Sequence, residues 1–175
     1  SAKDVVTPFP WTDLLIIAGL IVLNGVFAMS ELAIVSARTT RLQSKAEGGS
    51  VAARTALELA GDPGKFLSTV QIGITLVGIV AGAYSGSSLG GPVGERLQGL
   101  FGLSPDSAAQ AGFFLVIVLT TYFSLVIGEL VPKQLALRAA DQIAMVMARP
   151  MKWLALIAAP IVWVLDFSSA TIVRL

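Results

Sequence analysis

The 175-residue chain contains no cysteine and no histidine. Thiolate and imidazole metal sites, disulfides, cysteine nucleophiles and histidine acid–base chemistry are therefore excluded. Charge is scarce too: 13% of residues are Asp, Glu, Lys or Arg, against about 25% in a typical soluble domain. The formal net charge of +1 gives no basic footprint for nucleic acid. What fills the chain instead is apolar residues, at 55%, with a mean hydropathy of +0.81. This is the composition of an integral membrane protein. Any metal it handles is a hard one held by oxygen, such as magnesium, calcium, manganese or sodium.

Three stretches are long enough to cross a bilayer, from about Asp13 to Ser36, Lys65 to Tyr84 and Ala108 to Val131. Each exceeds the minimum of about 17 residues. A fourth apolar run, Trp153 to Leu165, sits between Lys152 and Asp166 and reads as too short for a span. Its tryptophans suit an interfacial or re-entrant helix. Arg38 to Ala60 reads as a helix–Gly-Gly–helix connector lying at the membrane surface, and YSGSSLGGPVGE reads as a glycine-rich loop.

Basic residues set the orientation. Arg38, Arg41, Lys45 and Arg54 follow the first span, and Lys133, Arg138, Arg149 and Lys152 follow the third. The link between the second and third spans has only Arg96. By the positive-inside rule the N-terminus is outside and the C-terminus cytoplasmic. The opening SAKDVVTPFPWTD lacks the order of a signal peptide. The abrupt end at Leu175 suggests a following domain removed from this chain.

The polar residues inside these apolar stretches carry the functional argument. Glu129 closes an uncharged run, Gly112 to Ile127, and lies three residues before Pro132. A carboxylate in a membrane helix is costly and marks a functional site by default. Pro132 has no N–H, so the Gly128 carbonyl loses its helical donor and becomes a hard oxygen beside that carboxylate. Thr121, Ser124 and Gly128 precede Glu129 at i, i+3 and i+7. In the first span, Asn24 and Glu31 are two turns apart and share a face, with Ser30 next to it. Ser30-Glu31 and Gly128-Glu129 close two spans that run in the same direction, which suggests convergent oxygens near the cytoplasmic third of the membrane. Plainer readings stand beside these: a Glu31–Arg38 ion pair, an interhelical hydrogen bond for Asn24, and back-bonding of Ser30 to its own helix.

In the second span Ser68, Gln71, Thr75, Gly78 and Gly82 fall on one face. Gly78-x3-Gly82-x3-Gly86 has the spacing that lets helix backbones pack closely. Gln71 and Thr75 need polar partners in hydrocarbon, and a coordination cavity is one place to find them.

FAMSELAIVSARTTRLQ, FLSTVQIGITLVGIVAG and YFSLVIGELVPKQLALR resemble the transmembrane domain of the CorC/cyclin M family of magnesium transporters. The likeness runs from about Leu14 to Arg149, and the Gly-Glu-x-x-Pro core is its most specific part. It implies an all-α integral membrane fold, homodimeric, with three transmembrane helices per protomer. The expected layout is spans at 13–36, 65–84 and 108–131, a helical connector at 38–62, and juxtamembrane and belt helices over 133–175. It further implies a bacterial inner (plasma) membrane location and a C-terminal CBS-containing part, absent here, through which alone ATP would bind. The implied activity is magnesium export driven by sodium entry, not enzymatic catalysis.

Onto matching positions, the resemblance carries magnesium ligands to Ser30, Ser124, Glu129 and the Gly128 carbonyl, with Gln71 or Thr75 from the second span. Animal cyclin M members carry an asparagine near mid-span where this chain has Ile74 or Thr75. Asn24, Glu31 and Thr121 are candidates for sodium or for supporting the site, and Pro132 supports it by breaking the helix. The alternative is a membrane anchor and dimerisation module that senses cations and transports nothing.

Overall fold

A computed structural model describes residues 7–175, all of whose regular structure is helical. The reading of Ser1–Val6 lies outside the described residues. Four long helices dominate: α1 (Trp11–Ser36), α4 (Gly64–Phe101), α5 (Pro105–Leu125) and α7 (Ala140–Arg174). Between them lie α2 (Thr39–Glu47), α3 (Val51–Gly61), a π-helical turn (Val126–Leu130) and α6 (Val131–Arg138). Four segments are long and apolar enough to cross a membrane: α1, α4, Pro105–Arg138 and α7. The chain is a multi-pass membrane protein.

Local chemistry explains the breaks. The Ser50 hydroxyl accepts from the Ala53 N–H at 3.2 Å and starts α3. Ser104 does the same for Ser107 ahead of Pro105, the preferred first helical residue for α5. Gly49 and Gly102 take positive φ (99° and 63°), ending α2 and α4 where a side chain would be strained.

Two sequence expectations change. The glycine-rich segment is not a loop; it is the second half of α4, which runs 38 residues, about 57 Å. Close packing overrides glycine's low helix propensity. A Cβ on Gly112 of α5 would stand 2.5 Å from the Gly90 carbonyl oxygen, and one on Gly94 would stand 2.9 Å from the Ala108 oxygen. Only glycine permits that approach. Conversely, nothing lies within 4 Å of such an atom on Gly78 or Gly82. Within the chain, close packing of this run therefore begins at Gly86, against Phe113, two repeats after Gly78. The fourth apolar run is also longer than read, since Trp153–Leu165 belongs to the 35-residue α7 despite Pro150 and Pro160.

The chain forms two compact units. The first comprises the residues up to Asn24 with Thr75–Leu130. Its core holds Ile17, Ile21, Leu89 and Val116. Tyr84 O–H donates to the Asp13 carboxylate, and the Glu95 carboxylate accepts from Thr7. Arg96 lies over the Phe9 ring at 5.3 Å. The second unit comprises Gly25–Ile74 with Val131–Leu175. There α3 packs on both α2 and α7. Ala53, Ala56, Ala144 and Ala148 are fully buried, so small side chains permit close helix approach. A Lys152–Glu58 ion pair at 3.1 Å ties α7 to α3.

Candidate functional site

Pro132 leaves its mark on the backbone just before it. Instead of a simple kink, the chain widens into the π turn Val126–Leu130, with Glu129 inside it. A π turn displaces the hydrogen-bond register by one residue and recurs at functional sites in helices. Gly128, at its centre, is buried, and Glu129 is half-buried.

The Gly128 carbonyl, expected to be free, accepts a hydrogen bond from Asn24 Nδ2 at 3.0 Å. Of the readings open for Asn24, the interhelical bond is the one observed. A carbonyl oxygen has two lone pairs, so this bond leaves one for another partner. The bond also fixes the amide's orientation, because the flipped form would set two oxygens together. Asn24 Oδ1 consequently points elsewhere, and it is buried with no hydrogen-bond partner among the described residues. Asn24 is 7% exposed. An unmatched buried acceptor costs about 1–3 kcal/mol, and a donor or a cation would remove that cost. Space at Gly128 is tight: an added Cβ would lie 3.2 Å from Asn24 Nδ2 and 3.4 Å from the Ile21 carbonyl oxygen, so the Asn24 amide would have to give by a few tenths of an ångström.

In the second unit, Glu31 accepts from Gln71 Nε2 at 3.1 Å. Of the readings open for Glu31, the pairing with Arg38 is not the one observed, and the Gln71 amide has its partner. Ser30 is fully buried and its Oγ donates to the Val26 carbonyl at 2.7 Å, the back-bonded arrangement. That bond uses the hydroxyl's proton and leaves oxygen lone pairs available. Ser124 is half-buried, while Thr75 and Thr121 are exposed on the faces of α4 and α5.

Among the described residues, no three Asp, Glu, His or Cys side chains gather closely enough to hold a metal. A cation among the described residues would therefore meet at most two carboxylates at once, the rest of its shell coming from neutral oxygens. A separate cavity of about 330 Å³ in the first unit is lined by Ile17, Ile21, Leu89, Val116 and other apolar residues, with Thr120 its hydroxyl. Its walls do not offer the oxygen shell a hard ion needs.

The sequence did not single out Asp141, whose carboxylate accepts the Arg38 backbone N–H at 2.7 Å. Its position in the first turn of α7 was the available signal.

Comparison with known proteins gives these helices relatives. The chain is 44% identical over 163 residues to UPF0053 protein sll0260 of Synechocystis sp., covering 93% of this chain and 36% of that protein. It is 37% identical to UPF0053 protein YhdT of Bacillus subtilis, covering 90% and 34%. It is 28% identical to the polyamine export protein of Haemophilus influenzae, covering 93% and 37%. The chain thus spans about a third of the length of the curated relatives it matches. Residues 15–175 match the family model described as the cyclin M transmembrane N-terminal domain. By that match, the chain belongs to the cyclin M (UPF0053) transmembrane domain family.

Proposed function

We propose that this domain moves magnesium out of the cell, driven by sodium entry, with the ion held largely dehydrated by oxygen ligands inside the membrane. The observation that carries the reading is the widened turn: Glu129 lies beside a carbonyl fixed by Asn24, whose own oxygen is buried without a donor. Magnesium takes about six oxygens at about 2.0–2.1 Å. One carboxylate with neutral oxygens holds it weakly enough for release, as transport requires. Ser124, Glu129 and the Gly128 carbonyl are the proposed ligands. Ser30, with Gln71 or Thr75, joins them on the strength of sequence register and family resemblance. Asn24, Glu31 and Thr121 are assigned to sodium or to support of the site.

The proposed topology places the N-terminus outside, α1, α4 and Pro105–Arg138 across the bacterial inner membrane, and α7 along the cytoplasmic surface. Although α7 as a whole is long and apolar enough to cross, its uncharged part between Lys152 and Asp166 is roughly 20 Å long against a hydrocarbon core of roughly 30 Å. The surface placement rests on that difference and on the family resemblance. The domain works as a homodimer, and the open faces at Gly78 and Gly82 suit a second copy. ATP would act only through a CBS-containing part outside this chain.

A second reading takes its support from the relatives named polyamine export protein. An elongated polycation needs several anionic contacts along its length. Among the described residues, the carboxylates away from the ends of the proposed spans are Glu31 and Glu129, Asp13 near the start of α1 being engaged by Tyr84. So few anionic contacts favour a compact ion. The third reading is an anchor that senses cations without moving them.

Proteoliposomes loaded with a magnesium-sensitive dye separate the three. Sodium-dependent magnesium flux that disappears in Glu129→Ala is expected. Uptake of a radiolabelled polyamine without magnesium flux would favour the second reading. Magnesium binding without flux, in this chain and in the full-length protein, would favour the third.

A further inference from the structure

We propose that the second unit carries a binding site for the phosphate of an anionic phospholipid, separate from the proposed ion path. A polar cavity of about 380 Å³ opens where α1 ends and where α2 and α7 begin. Its walls include Ser36, Arg38, Arg41, Lys45, Arg138 and Asp141. Four cationic side chains thus face one carboxylate.

That carboxylate is already engaged. One Asp141 oxygen accepts the Arg38 backbone N–H at 2.7 Å, and the other lies 3.6 Å from Arg41 Nη1. Among the described residues, Lys45 Nζ meets only the Met145 sulfur, at 3.9 Å. The side chains of Arg38, Lys45 and Arg138 make no ion pair among the described residues. Like charges held around a concavity repel one another, and a bound anion relieves the repulsion. Arg side chains also match phosphate oxygens with two parallel N–H donors.

The helix ends reinforce this potential. Arg38 caps α2 and Ala139 caps α7, and neither provides a side-chain capping bond. First-turn N–H groups of both helices therefore lack intrahelical acceptors and add partial positive charge.

The surroundings select a lipid over a free anion. Leu137 lines the cavity and is exposed, and exposed Val35 precedes Ser36 at the end of the apolar helix α1. A ligand with a phosphate head and acyl chains satisfies both surfaces. Basic pockets at the cytoplasmic ends of membrane helices bind such headgroups.

The test uses the purified chain in detergent, with retention of added phosphatidylglycerol or phosphatidylcholine read by native mass spectrometry and thermal stability read in parallel. Phosphatidylglycerol should be retained preferentially and should raise the melting temperature. Lys45→Gln and Arg138→Gln, both at exposed positions, should each weaken retention roughly fivefold, and together about 25-fold. Arg54→Gln, on α3 outside the cavity, should change it little. Equal retention of the two lipids, or an Arg54→Gln loss as large as the cavity variants give, overturns the site. Stabilisation by inorganic phosphate equal to that by phosphatidylglycerol overturns the assignment to lipid.

Discussion

Asn24 donates its amide N–H to the Gly128 carbonyl at 3.0 Å while its own amide oxygen is buried without a partner. The two residues are 104 positions apart, yet one sets the electrostatics of the other. Asn24→Leu should leave the Gly128 oxygen unmatched while removing the orphaned Asn24 oxygen, so the net destabilisation should lie near the low end of the about 1–3 kcal/mol that an unmatched buried group costs. Asn24→Asp should be worse at neutral pH, because a carboxylate would then face the carbonyl. Thermal melts in detergent at pH 7 check both. If Asn24→Leu melts at the wild-type temperature, the bond has no structural weight.

Glu129→Gln keeps the side chain's shape and removes its charge. Magnesium binding measured by titration calorimetry should fall by at least about tenfold, with little change in melting temperature. Glu129→Ala should abolish binding. Unaltered affinity in Glu129→Ala would remove this carboxylate from the ion site.

Pro132→Ala restores a backbone donor and should relax the π turn toward a regular α-helix. Magnesium affinity should weaken while helical content holds or rises slightly. Calorimetry paired with circular dichroism tests this; wild-type affinity would mean the widened turn is unnecessary for binding.

Gly112→Ala should be severely destabilising, because its new methyl would stand 2.5 Å from backbone atoms of Gly90 and Gly94. Gly82→Ala meets open space within the chain. It should leave the protomer's stability within about 0.5 kcal/mol. A Gly82 variant that folds normally but runs as a monomer on size-exclusion chromatography would map the dimer contact. A Gly82 variant that remains a dimer moves that contact elsewhere.

The absence of native cysteine makes labelling of single introduced thiols unambiguous. In oriented vesicles, Ser104→Cys should react with an impermeant maleimide from outside, and Ser44→Cys and Ser168→Cys only from inside. Reaction of Ser168→Cys from outside would mean that α7 crosses the membrane.

Much of this molecule is legible one residue at a time. Long apolar runs dictate membrane helices because a backbone in hydrocarbon must satisfy its own hydrogen bonds. The Gly48-Gly49 break, the Ser50 and Ser104 caps and the disturbance before Pro132 are equally local. Glu129 stands out from sequence because a carboxylate in such a run is expensive wherever it points.

Partners separated by many residues were not legible. Residues 84–95 read as a loop because glycine disfavours an isolated helix, and they are helical because Gly90 and Gly94 admit the backbone of α5. The same spacing rule picked Gly78 and Gly82, whose surroundings within the chain are open. Glu31 had Arg38 as its nearest cation along the helix, but found Gln71. Composition and periodicity determined that the chain is helical, lies in a membrane and offers neither thiolate nor imidazole to a ligand. Tertiary structure alone decided which oxygens are spoken for, because hydrogen-bond pairing depends on distances of a few tenths of an ångström between segments that the sequence leaves far apart.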